Sequence, residues 1–123
     1  MKKNLLQQQI ETLSENISTK NTVIICSNDG DLIVQTDHGI EVDLNRVAVQ
    51  AATVFGVSSR MGSSLNLGVS SELTIAGKFG RIFIFRLNDN FFLGVVSPRE
   101  CNIAMLNIVA LRAVKAIQDE DLL

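Results

Sequence analysis

A single histidine, two cysteines and no tyrosine or tryptophan leave this chain with little for covalent or redox chemistry. Cys26 and Cys101 are too few and too far apart for a zinc pattern, and no CxxC occurs, so both read as buried thiols of a reducing compartment. His38 lies in a polar loop beside Gly39, with no positioned partner for general-base work. No metal or other cofactor is expected. One proline and eight glycines exclude a fibrous or low-complexity chain. Eleven lysines and arginines stand against thirteen acids, and the cations form no run beyond a pair, so nothing suggests a nucleic-acid partner. No apolar stretch is long enough to span a bilayer, and MKKNLLQQQIETL lacks the apolar segment of a secretion leader. The expectation is a cytoplasmic protein without direct membrane insertion.

What the chain does have is core. A hydrophobic share of 46% over 123 residues fits one domain spanning 1–123. Leu5 or Leu6, Ile10, Leu13 and Ile17 recur at helical spacing and predict an amphipathic helix from about 3 to 18. Thr22–Cys26 and Asp31–Gln35 are strand-like runs joined by Ser27-Asn28-Asp29-Gly30, a hairpin. Val69–Ile75 alternates as a half-buried strand, whereas Ile82–Phe85 and Phe91–Val96 are apolar on both faces, as central strands covered on two sides must be. Pro98 stops the last strand. A final helix follows from about 102 to 118, with Ile103, Leu106, Ala110, Ala113, Val114 and Ile117 as core and Ala104, Ile108 and Leu111 as a second apolar flank on which the first helix can dock. Asp119-Glu120-Asp121 reads as a solvated end.

The middle helix, Asp43 to Leu65, organises the rest. Asp43 is placed to cap its first turn, and Asn66-Leu67-Gly68 ends it, with Gly68 in the left-handed region. Leu44, Ala48, Ala51, Phe55, Ser58 and Gly62 form one stripe, flanked by Val47, Val54 and Met61, which is the expected core face. The far side carries Val49, Ala52, Thr53, Gly56, Ser59 and Ser63 where an exposed helix would carry Lys and Glu. Such a helix has two faces to bury. The order is α-β-β-α-β-β-β-α: an α+β, profilin-like three-layer sandwich. Its five-stranded antiparallel sheet carries the middle helix on one face and the terminal helices on the other.

Motifs with catalytic potential fail on inspection. Gly77-Lys78-Phe79-Gly80 lacks the P-loop pattern and joins two strands. Asp29, Asp31, Asp37, Glu41 and Asp43 lack the glycine and terminal glutamate of a calcium loop. Gly56-Val57-Ser58-Ser59 sits mid-helix and is not a nucleophile elbow. The protein is therefore expected to act through a surface, not as an enzyme. A small-ligand sensor is the weaker alternative, because the core residues are large and no convergent polar set is visible.

The element order and its text resemble the roadblock/dynein light-chain family. The resemblance rests on VIICSNDGDLIV, RVAVQAATVFGVSSRMGSSL, VSSELTIAGKFGRIFIFRLNDNFFLGVVS and NIAMLNIVALRAVKAI in that order, with Asn102-Ile103-Ala104 where many relatives have Asn-Leu-Gly. It implies a dimer, of two copies or with a related roadblock subunit, in which middle helices pack side by side and edge strands join two sheets. It also implies a platform that docks Ras-like small GTPases, as in the bacterial and archaeal homodimers, with stimulation of their hydrolysis an open expectation, or alternatively a structural light chain or scaffold of a motor or membrane-recruitment complex. On this reading the dimer contact falls on Val49, Ala52, Thr53, Gly56, Ser59 and Ser63, with Ser70, Glu72 and Thr74 of the edge strand. The partner surface falls on Arg46, Gln50, Thr53 and Arg60. The family supplies no catalytic residues to carry over.

Overall fold

Strands apolar on both faces demand cover on both, and the computed structural model, which describes residues 1–36 and 41–123, supplies it unequally. The elements are α1 (Lys3–Glu15), β1 (Thr22–Ser27), β2 (Leu32–Gln35), α2 (Leu44–Ser64), β3 (Glu72–Ala76), β4 (Gly80–Arg86), β5 (Phe91–Pro98) and α3 (Ile103–Asp119). The sheet is antiparallel throughout, in the order β2-β1-β5-β4-β3. Alternation along each strand divides the core in two. Val23, Ile25, Phe83, Phe85, Leu93 and Val95 pack with α1 and α3. Ile24, Cys26, Ile84 and Phe92 pack with Ala48, Ala51 and Phe55 of α2.

Asp43 caps α2 as its position requires, accepting hydrogen bonds from the N–H groups of Asn45 (3.1 Å) and Arg46 (3.4 Å). The helix ends in the expected segment and Gly68 takes the left-handed conformation (φ 88°), but a second left-handed residue precedes it. Asn66 takes the left-handed conformation (φ 59°), Leu67 N–H donates to the Gly62 carbonyl and Asn66 N–H to that of Ser63, so Asn66 closes the helix before Gly68 is reached. α3 closes the same way on Asp121 (φ 52°), whose neighbour Leu122 is buried and accepts from Lys2 N–H. Asp119, Glu120 and Asp121 are exposed, the solvated acids expected, while the Leu122 beyond them is buried and tied to Lys2.

Three core assignments need correction. Val54 and Met61, expected beside the core stripe of α2, are 38% and 64% exposed. On α3, Val109 takes a buried place and Ile103 is exposed. Helix α1 docks on the Val109, Ala113 and Ala116 side of α3, leaving Ile108 and Leu111 open. The edge strand also starts later than its alternation suggested, at Glu72, with Val69 exposed ahead of it.

Two glycines of α2 differ in what a side chain would meet. A Cβ at Gly62 would lie 2.7 Å from the Gly68 carbonyl oxygen, whereas one at Gly56 would meet nothing nearer than Arg60 Nη1 at 3.9 Å. Gly62→Ala should therefore lose about 1–3 kcal/mol, because backbone must shift. Gly56→Ala should gain roughly 0.5–1 kcal/mol by restricting the unfolded chain. Urea denaturation of the two variants at one protein concentration checks the contrast.

Candidate functional site

The surface built by α2 and β3 carries most of the residues singled out from the sequence. The two flanks of α2 have opposite character. One flank, with Ala52, Gly56 and Ser59, looks toward the end of the sheet where β3 begins and β4 finishes. There Arg86, the last residue of β4, donates from Nε to the Ser70 carbonyl (2.6 Å) and from Nη2 to Ser59 Oγ (2.9 Å). Its guanidinium lies 4.8 Å from the centroid of the Phe55 ring, a cation–π contact. Ser58 Oγ reaches Ser70 Oγ at 3.2 Å. Ser59 and Ser70, expected at a contact between copies, are thus engaged within the chain.

The opposite flank is apolar and open. Val54, Val57 and Met61, on successive turns, are 38%, 49% and 64% exposed. On the sheet face that α2 covers, at the end away from Arg86, Ile75, Ile82 and Val96 stand opposite one another across three strands. Ile75 is 45% exposed. Between the flanks, Arg46, Gln50, Thr53 and Arg60 follow one line along the crest of α2, all exposed. Val49 and Ser63 are exposed on the small-residue side, and Thr53 Oγ1 donates back to the Val49 carbonyl.

Strand β3 has one partner, β4, and its far edge is open among the described residues. Gly77 N–H bonds the Gly80 carbonyl and Arg86 N–H bonds the Ser71 carbonyl, so the odd-numbered residues between them turn their backbone groups toward β4. Glu72, Thr74 and Ala76 consequently direct N–H and C=O outward. Glu72 and Thr74 are where the sequence placed an interface; Ser70 lies ahead of the strand.

Chemistry is sparse here. Burial pushes the Cys26 thiol up to about 12, which keeps it protonated and inert. Among the described residues no group of His, Cys, Asp and Glu could hold a metal ion. His38 and Asp37 lie outside the described residues. Among the described residues no helix is long and apolar enough to cross a membrane. Arg86 was missed in the sequence. Its signal was its place at the end of an alternating strand, which puts it on the same face as Ile82 and Ile84, under α2.

The sequence profile of the Roadblock/LC7 domain matches residues 7–97. The chain belongs to the Roadblock/LC7 family. No curated protein matches the sequence. Among solved structures, an MglB in a tetrameric arrangement is similar with a TM-score of 0.88 and 12% identity, covering 98% of this chain and 91% of that one. A Roadblock/LC7 domain from Streptomyces avermitilis gives 0.83 and 17%, covering 95% and 98%. Profilin II of Acanthamoeba castellanii gives 0.66 and 11%, covering 94% and 98%, which places this Roadblock/LC7 chain in the profilin-like architecture.

The direction of the β3 backbone is testable. Proline at Ile75 removes an N–H from the β4 ladder, whereas proline at Thr74 removes one that faces the open edge. Ile75→Pro should cost about 1–2 kcal/mol more than Thr74→Pro, the worth of a ladder hydrogen bond, in thermal denaturation of dilute protein.

Proposed function

We propose that this single-domain protein is a non-enzymatic, cytoplasmic homodimer that binds and regulates a Ras-like small GTPase. The observation that carries the dimer is the coincidence of an open apolar helix flank with an open strand edge. Val54, Val57 and Met61 are exposed on α2, and Ile75 is exposed on the sheet face that α2 covers, in the edge strand whose Glu72, Thr74 and Ala76 backbone groups point outward. A two-fold axis through that edge satisfies both at once. It sets Thr74 opposite its own copy and Glu72 opposite Ala76, which pairs every outward group of β3. Leu73 then meets Ile75 of the other copy on the α2 face, and the Val54, Val57 and Met61 flanks close over that ladder.

This seam moves the helix contact from the small-residue flank to the apolar one and keeps Glu72 and Thr74 at the strand contact. The crest residues Arg46, Gln50, Thr53 and Arg60 remain free on both copies, and the GTPase docks there. The reading of the partner rests on membership of the Roadblock/LC7 family, to which the resemblance assigns GTPase platforms. The tetrameric arrangement described for MglB is a precedent for self-association on this fold.

Val57→Glu combined with Met61→Glu should give a folded monomer at tens of micromolar by sedimentation where the wild type is a dimer. A dimeric double variant would remove the apolar flank from the seam. Arg46→Glu, on a crest position, should leave the dimer intact and weaken capture of the cognate Ras-like GTPase by about tenfold, as a charge at an interface rim does, measured calorimetrically at two salt concentrations. Neither the protein alone nor its variants should hydrolyse GTP.

A further inference from the structure

We propose that the small-residue flank of α2 is a carboxylate-binding notch, in which Arg86 and Arg60 take an aspartate or glutamate side chain from an extended segment of a partner protein. The notch is a hollow of about 300 Å³ lined by Asn28, Ala52, Phe55, Gly56, Ser59 and Arg86 among others. It adjoins a second hollow of about 400 Å³, with which it shares Ser59 and Val69. Small side chains leave it room: a Cβ at Gly56 would meet only Arg60 Nη1, at 3.9 Å.

Its charge is what selects the occupant. Arg86 is half-buried against Phe55 and bonded only to neutral oxygens, the Ser70 carbonyl and Ser59 Oγ. A guanidinium has five N–H groups, so most of its donors, including both on Nη1, are unspent. Arg60 Nη1 lies 3.9 Å from the place of a Cβ at Gly56, one of the lining residues. Neither arginine has a carboxylate within ion-pair distance among the described residues. Among the described residues, one guanidinium thus lines the hollow and a second lies beside its Gly56, neither paired with a carboxylate, in a chain whose net charge is −2. A carboxylate is the planar, two-oxygen acceptor that matches the remaining donor pair of Arg86, with Arg60 closing over it. Polar neighbours Asn28, Ser59, Ser63 and Asn66 suit the backbone of an extended segment lying along the helix. The occupant does not depend on how two copies associate, since the apolar flank lies on the other side of α2.

The test is a titration of the full chain, followed by amide and guanidinium nitrogen resonances at low salt, with blocked Gly-Glu-Gly, blocked Gly-Gln-Gly and inorganic phosphate as probes. The glutamate peptide should shift Gly56, Ser59, Ser63 and Arg86 Nε saturably. The glutamine peptide and phosphate should not. Arg86→Met should weaken the glutamate peptide by about tenfold, the usual scale for removing a charge-assisted pair, while Arg86→Lys restores part of it. Should Arg86→Met fail to fold, Arg60→Met on the exposed crest carries the same test. Equal shifts with the glutamine peptide, saturation by phosphate, or wild-type affinity in the methionine variants would overturn the proposal. Sedimentation in parallel separates this outcome from the state of the dimer.

Discussion

One helix cannot cover one face of a five-stranded sheet. Strands β4 and β5 run seven and eight residues, about 23–26 Å at the usual rise, and a helix lying across them covers only about 10 Å of that length. The face under α1 and α3 has two helices and an extensive buried core. The face under α2 has one, and its buried set is held by two alanines and Phe55. The remaining features follow from that mismatch. α2 lies toward the end of the sheet where Ser58, Ser59 and Arg86 bind it to Ser70, and Gly62 lets the following turn approach it. The other end, with Ile75, Ile82 and Val96, is left short of cover.

The Roadblock/LC7 assignment and the profilin likeness place the fold, and the fold alone does not select a function. The surfaces do that. α2 carries three: an apolar flank, a polar crest with Arg46 and Arg60, and a small-residue notch over Arg86. In the proposed dimer the apolar flank and the open β3 edge meet a second copy of the same chain. The crest and the notch are polar and cationic, which suits partners that come and go. α3 presents a further open stripe at Ile103, Met105, Ile108 and Leu111 on the opposite face of the sheet.

Element order, the two-sided central strands and the Asp43 cap were legible in the sequence because each is local: alternation, run length and a side chain next to the first turn. What was not legible depends on which neighbour a helix leans toward. A period near 100° locates the core stripe of α2 at Ala48, Ala51 and Phe55 but cannot say which flank the sheet end will meet. Val54 and Met61 were therefore placed beside the core, while Ala52 and Ser59 were placed outside. The same ambiguity sent α1 to Ile108 and Leu111 instead of Val109. Asn66 and Asp121 were overlooked as helix closers because glycine is the commoner left-handed residue. Arg86 emerged as part of the site only once the strand register fixed it below α2.

Amide hydrogen exchange along β3, followed as a function of protein concentration, tests the central claim most directly. Leu73 and Ile75 donate toward β4 and should be protected at every concentration. Glu72, Thr74 and Ala76 point outward and should exchange freely in dilute protein, gaining protection together as the concentration rises and copies pair. Outward amides that stay unprotected at high concentration, while sedimentation reports a dimer, would contradict the account and place the contact between copies elsewhere.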